Sequence, residues 1–208
     1  MENQKILINK FLEIPKESTL KERVAIFIDG SNFYYGLKRL NITGLKMQDL
    51  IDELVNNRHL IKIFFYTIRL DKRFNKNQFV EHNTFLDILK NIKRFSIVLC
   101  TLKRIRKPDG GFGFEVKGDD IHLANDMLVG AYENKYDTAI LVSGDEDFIP
   151  VVNTIKVRLK KRVENIYFRK SSSRWLRKAC TSATNARFIL NEIEKKLRQN
   201  QKTLPSGN

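Results

Sequence analysis

Five apolar residues in a row, Val24 to Ile28, end directly on Asp29. The plan returns in "TAILVSGDEDF" at residues 138–148, which finishes with Asp145 and Asp147 near its end. A half-buried strand alternates apolar with polar residues. A short uninterrupted apolar run suits a strand covered on both faces, as in the middle of a parallel sheet. Two such runs demand helices on both sides of one sheet and place carboxylates where the strands stop. In open sheets of this kind, ligands bind beyond the carboxyl ends of the strands, at the point where strand order reverses.

The remaining pattern supplies the covering helices. Strands are expected over 23–29, 61–70, 95–105, 137–143 and 163–169. Helices are expected after Asp29 through about Leu40 and over 47–57, 75–94, 119–134, 147–160, 172–180 and 186–199. Ser31 or Asn32 is a candidate cap for the first of these. Pro108, Asp109, Gly110 and Gly111 carry turn chemistry between two arms. Strand and helix alternate throughout, so the expected fold is α/β, with a central, mostly parallel sheet of about five strands. Residues 5–14 set Ile6, Leu7, Ile8, Phe11, Leu12 and Ile14 near helical spacing, and Pro15 closes the segment. A short amphipathic helix laid on the domain is expected there. The division that follows is a helical extension over 1–20, the main domain over 21–190, and a helix end with a basic tail over 191–208.

Charge is unevenly distributed. The formal net charge is +14, yet residues 1–155 hold 23 Lys/Arg against 21 Asp/Glu, while residues 156–208 hold 15 against 3. A basic quarter beginning at "KVRLKKR" points to a polyanion partner, nucleic acid or an anionic membrane surface, or else to a solvated basic face. Cys100 and Cys180 lie in no CxxC or Cys/His cluster and read as buried thiols of a reducing compartment. No run approaches the roughly 20 apolar residues that span a bilayer, and the N-terminus lacks the features of a signal peptide. A soluble cytoplasmic protein is the expectation.

"VKGDDIHLAND" at 116–126 adds Asp119 and Asp120 at a helix start and Asp126 about two turns after Asp119, with His122 between them. A lone Asp after a strand is commonly a helix cap. Several carboxylates at one sheet edge repel one another and raise one another's pKa values unless a cation neutralises them. Oxygen donors without Cys or His favour hard divalent ions, Mg²⁺ or Mn²⁺. Such an ion suits phosphodiester hydrolysis.

"FIDGSNFYYGL", "KGDDIHLANDML" and "TAILVSGDEDFIPVV" resemble, in order, the three signature blocks of the NYN domain in the PIN-like nuclease superfamily, and more closely its LabA-like branch. The resemblance covers about residues 22–190. It implies a PIN-like three-layer α/β sandwich, an acidic pocket for Mg²⁺ or Mn²⁺, and metal-dependent ribonuclease activity. It also implies a homodimer as an option. Matched position by position, Asp29 is the first-strand acid, and Asn32 is the Asn that orients substrate or water. Asp120 is the acid of the second block, with Asp126 as its later acid. Ser143, Asp145 and Asp147 belong to the third. Asp119 departs from the small apolar residue usual there, and a solvated position is expected for it.

The expected function is therefore a metal-dependent ribonuclease hydrolysing RNA phosphodiester bonds. Asp29, Asp120, Asp145 and Asp147 would serve as metal ligands, directly or through water, with Asn32 and Ser143 beside them. Lys117, Arg169, Lys170, Arg174, Arg177 and Lys178 would hold the RNA backbone, with "KRIRK" at 103–107 as a second basic patch. Trp175 and Tyr34 or Tyr35 would stack bases, although core packing is the expectation for at least two of the three. The competing reading is an RNA-binding regulatory module that keeps the acids and does not cleave. A membrane-surface role would need a wide apolar face on the last helix, and Phe188, Ile189, Leu190, Ile193 and Leu197 suit docking onto the domain equally well. Other chemistries find no footing: "DGGFGF" lacks the GxGxxG setting. His59, His82 and His122 have no zinc spacing, and Ser143 lacks evident triad partners.

Overall fold

A computed structural model describes residues 21–68, 70, 76–106, 108 and 110–202. The helix expected over 5–14 and the last residues of the tail lie outside the described residues. The chain forms β1 (Arg23–Asp29), α1 (Gly30–Arg39), α2 (Met47–Val55), β2 (His59–Ile68), α3 (Lys76–Lys90), β3 (Phe95–Arg106) and β4 (Phe112–Lys117). It continues as α4 (Asp119–Tyr132), β5 (Thr138–Val142), α5 (Ile149–Asn153), β6 (Arg162–Tyr167), α6 (Arg174–Ala179), β7 (Ser182–Asn185) and α7 (Ala186–Lys202).

The strands make one sheet in the order β4-β3-β2-β1-β5-β6-β7. Every pairing is parallel except β3 with β4, which are antiparallel from Thr101↔Lys117 to Arg106↔Phe112. The α/β class and the mostly parallel sheet agree with the sequence reading; the sheet has seven strands rather than about five. The first added strand is the far arm of the turn after β3. The second, β7, is the polar stretch "SATN" at the sheet edge, with two of its four residues exposed, so it carries no apolar signature.

The run at β1 is apolar throughout because its two faces enter different cores. Val24, Ile26 and Ile28 pack with Phe33, Met47, Leu50, Ile51 and Leu54 under α1 and α2. Ala25 and Phe27 pack with Leu123, Met127, Val152 and Leu176 under α4, α5 and α6. In β5, Ile140 and Val142 join the first cluster, while Ala139 and Leu141 join the second. The result is a three-layer sandwich with β1 at its centre. Burying each large side chain of β1 stabilises the fold by about 1.5–3 kcal/mol. From β1 the chain moves outward one way to β2, and from β5 the other way to β6. Strand order reverses between β1 and β5, so Asp29 and the segment after Val142 flank the switch point, where ligands bind in sheets of this kind.

Candidate metal centre

β1 runs into α1 with no intervening loop, which leaves Asp29 at the cap position. Its Oδ1 accepts the backbone N–H of Asn32 at 2.9 Å. Asp29 is thus the N-cap, and neither Ser31 nor Asn32 plays that part. The immediate turn also needs Gly30, since a Cβ there would lie 2.4 Å from the Tyr66 carbonyl oxygen. The other carboxylate oxygen, Oδ2, accepts the hydroxyl proton of Ser143 at 2.9 Å. Asp29 is only 9% exposed. Burial pushes its carboxyl above the usual range, the bonds from Asn32 and Ser143 oppose that, and the charges of Asp119 and Asp145 add to the rise.

Beyond β5 the chain turns back on itself. Ser143, fully buried, accepts the N–H of Asp145 on its Oγ at 3.2 Å. Asp145 Oδ1 in turn accepts the N–H of Asp147 at 3.0 Å and caps a 3-10 turn over Glu146–Phe148. Asp145 is half-buried and Asp147 exposed. α4 begins at Asp119 after Gly118 and brings Asp120 to the same edge. Carboxylate oxygens of Asp120, Asp145 and Asp147 lie within 4.8 Å of one another. The Asp120 carboxyl is pushed up to about 6, first by burial and then by the charges of Asp119, Asp29, Asp145 and Asp147.

Two acids of the second block occupy different surroundings. Asp119, expected to be solvated, is half-buried, and its charge acts on both Asp29 and Asp120. Asp126 is turned inward from α4: its Oδ2 accepts the hydroxyl proton of Tyr66 at 2.9 Å. His122 is exposed. Asn32 is half-buried and its Oδ1 is a buried acceptor without a hydrogen-bond partner. The donor set, three clustered carboxylates with neither His nor Cys, fits a hard divalent cation.

A family model for the NYN domain matches residues 23–190. The chain belongs to the NYN domain family. Among solved structures, its fold resembles that of a protein of unknown function from Vibrio parahaemolyticus. That match has a TM-score of 0.58 and 24% identity, and covers 81% of this chain and 95% of the other. No curated protein matches the sequence.

The basic segment of the NYN domain is fastened to its acidic loop. Gly144 lies under the turn at Arg169–Ser171, and a Cβ there would stand 1.9 Å from the Ser171 carbonyl oxygen. The Gly144 carbonyl accepts the N–H of Ser173 at 2.8 Å. Ser173 Oγ–H donates to Glu146 at 2.9 Å, and the same Oγ caps α6 by accepting the N–H of Trp175 and Leu176. Arg169, Lys170, Arg174 and Lys178 are exposed along this segment. Arg177 is half-buried and already engaged. Its guanidinium sits 4.8 Å over the Tyr167 ring and donates to the Ser172 carbonyl at 3.0 Å and to the Ser172 hydroxyl. The side chains of Lys117, Lys103 and Arg104 are not described, and Lys107 lies outside the described residues.

The expectation of core packing for two of the three aromatics is overturned. Tyr34, Tyr35 and Trp175 are 59%, 55% and 63% exposed. Gly36 abuts the Phe168 ring, so that face of α1 is filled and the two tyrosines are left outward. They pair edge to face at 5.3 Å, and Lys178 lies 5.2 Å over the Trp175 ring. Sequence reasoning missed Tyr66, Ser173 and Asn165. For Asn165 a signal existed, since Asn is disfavoured within strands; for the other two there was none.

Proposed function

We propose that this NYN domain is a metal-dependent ribonuclease that hydrolyses RNA phosphodiester bonds. The observation that carries the reading is the convergence of Asp120, Asp145 and Asp147 at the switch point of the sheet, with the buried Asp29 close enough for its charge to act on Asp120. These three carboxylates would hold Mg²⁺ or Mn²⁺, and Asp29 adds negative charge from below. When bound, such an ion supplies charge neutralisation at the phosphate and a lowered pKa for water at the site.

The residues of the chain account for the rest. Ser143 favours the ionised form of Asp29 by donating to it, against the effect of burial, and Asn32 offers an unpaired buried oxygen. Arg169, Lys170, Arg174 and Lys178 would grip the phosphate backbone. Trp175, Tyr34 and Tyr35 are exposed and would stack bases, a contact worth about 1–3 kcal/mol per base. Gly144 and Ser173 hold that surface against the acidic loop. Two buried, unpaired thiols, Cys100 and Cys180, suit the reducing cytoplasm. Among the described residues no helix is long and apolar enough to cross a membrane.

The test is incubation of RNA with the protein and Mn²⁺, with and without EDTA, alongside Asp145→Asn and Asp29→Asn. Cleavage that EDTA abolishes and both variants lose supports the enzyme. Undiminished cleavage by both variants would sink it, and binding without cleavage would make the domain a regulatory RNA-binding module.

A further inference from the structure

We infer that Asn165 is a positioning residue for the carboxylate centre, acting through the backbone of Ser143; the functional part of this inference rests on the cation reading above. Asn165 sits in β6 opposite Leu141 of β5 and is fully buried. Its Nδ2 donates to the carbonyl oxygens of Leu141 at 3.1 Å and Ser143 at 2.8 Å. Carbonyls two residues apart point to the same side of a strand, so one amide group reaches both.

The place of these bonds gives them their consequence. The β5–β6 ladder ends at Val142↔Ile166, and Ser143 is the first residue past it. A buried carbonyl there needs a donor that the ladder no longer supplies, and Asn165 supplies it from a side chain. β5 therefore leaves the sheet at Ser143 with its carbonyl satisfied and its direction fixed. The same residue's Oγ donates to Asp29 and accepts from Asp145, and Asp145 then accepts from Asp147. Among the polar side chains buried in the described residues, Asp29, Ser143 and Asn165 form one connected chain. The orientation of the amide follows from its neighbours, since exchanging oxygen for nitrogen would set oxygen against two carbonyl oxygens. Its own Oδ1 is left buried without a partner, so Asn165 satisfies the end of β5 at the expense of its own acceptor.

Two readouts on the full chain separate geometry from function. One is hydrogen exchange at the Asp145 and Asp147 amides compared with the β1 amides. The other is Mn²⁺ affinity by calorimetry well below the melting temperature. Asn165→Leu keeps a side chain of similar size without a donor, and Asn165→Ser keeps one hydroxyl donor should the leucine variant fail to fold. The expected result is faster exchange confined to Asp145 and Asp147, with Mn²⁺ affinity lowered about 10–100-fold, as for other partners that orient metal ligands. The serine variant falls between leucine and wild type. Unchanged exchange in the loop, equal loosening of loop and β1, or loosening with intact Mn²⁺ affinity each overturns the inference. If wild type binds no Mn²⁺ while loop exchange still rises selectively, the cation reading fails and the control of the loop by Asn165 stands.

Discussion

Ser143 and Asp29 are 114 positions apart in sequence, and the Ser143 hydroxyl donates to the Asp29 carboxylate at 2.9 Å. That bond joins the ends of the two most deeply buried strands, β1 and β5, and the Asp29 charge acts on Asp120 of the acidic cluster. A hydrogen bond to a charged group contributes about 1.5–3 kcal/mol. Ser143→Ala removes it, strips Asp145 N–H of its acceptor, and leaves a buried oxygen of Asp29 unpaired. Denaturant unfolding should show a loss of about 1.5–3 kcal/mol, and Mn²⁺ affinity should fall with it. A variant with wild-type stability would show that the bond does not hold Asp29 in place.

The acid cluster should destabilise the protein in a defined pH window when no cation neutralises it. The Asp120 carboxyl is pushed up from its ordinary 3.8 to about 6 in the fold, and Asp29 is also raised. A group with a raised folded value binds more protons folded than unfolded between those values, so stability falls as pH rises across them. The melting temperature in EDTA should therefore decline from about pH 4 to above pH 6, relative to Asp120→Asn, whose profile should be flatter. Added Mn²⁺ should restore most stability at the upper end, where the carboxylates are ionised. A wild-type profile parallel to that of Asp120→Asn would remove Asp120 as the strained member.

What the chain disclosed in advance follows from how its parts are buried. β1 and β5 were legible because both their faces enter cores, which forces unbroken apolar runs. β7 was hidden because a short polar edge strand needs only backbone partners, and Ser182–Asn185 offers no apolar pattern to read. Asp120, Asp145 and Asp147 stood out by type and spacing, and the fold brings them together. The same residue types concealed a division of labour. Asp29 spends both oxygens on a cap and on Ser143, while Asp126 turns inward to Tyr66. Such roles depend on partners remote in sequence. The aromatics misled because burial is decided by which helix face is filled, and Phe168 against Gly36 filled it.

Tyr66 and Asp126 give a contrast between anchoring and ligation. The buried Tyr66 hydroxyl donates to Asp126 from the end of β2 and so ties α4, which carries Asp120, to the sheet. Tyr66→Phe should cost about 1–3 kcal/mol, since it leaves the half-buried Asp126 carboxylate without its donor. Asp126→Asn keeps an acceptor oxygen for Tyr66 and should cost less, with Mn²⁺ affinity close to wild type. A large loss of Mn²⁺ affinity in Asp126→Asn would instead make Asp126 a ligand.

The basic surface divides in the same way, and salt dependence reads the division. Arg169, Lys170, Arg174 and Lys178 are exposed, whereas Arg177 is committed to the Tyr167 ring and to Ser172. On single-stranded nucleic acid, each phosphate contact contributes about 0.7 to the slope of log affinity against log salt. Replacing Arg169, Lys170, Arg174 and Lys178 together by alanine should flatten that slope by about 2–3 and leave the melting temperature nearly unchanged. Arg177→Ala should do the opposite, lowering the melting temperature by loosening the turn that rests on Gly144 while barely altering the slope. Filter binding across a salt series, paired with thermal melts of both variants, decides between them. An Arg177→Ala protein of full stability with a reduced slope would make Arg177 a phosphate contact and void its structural role.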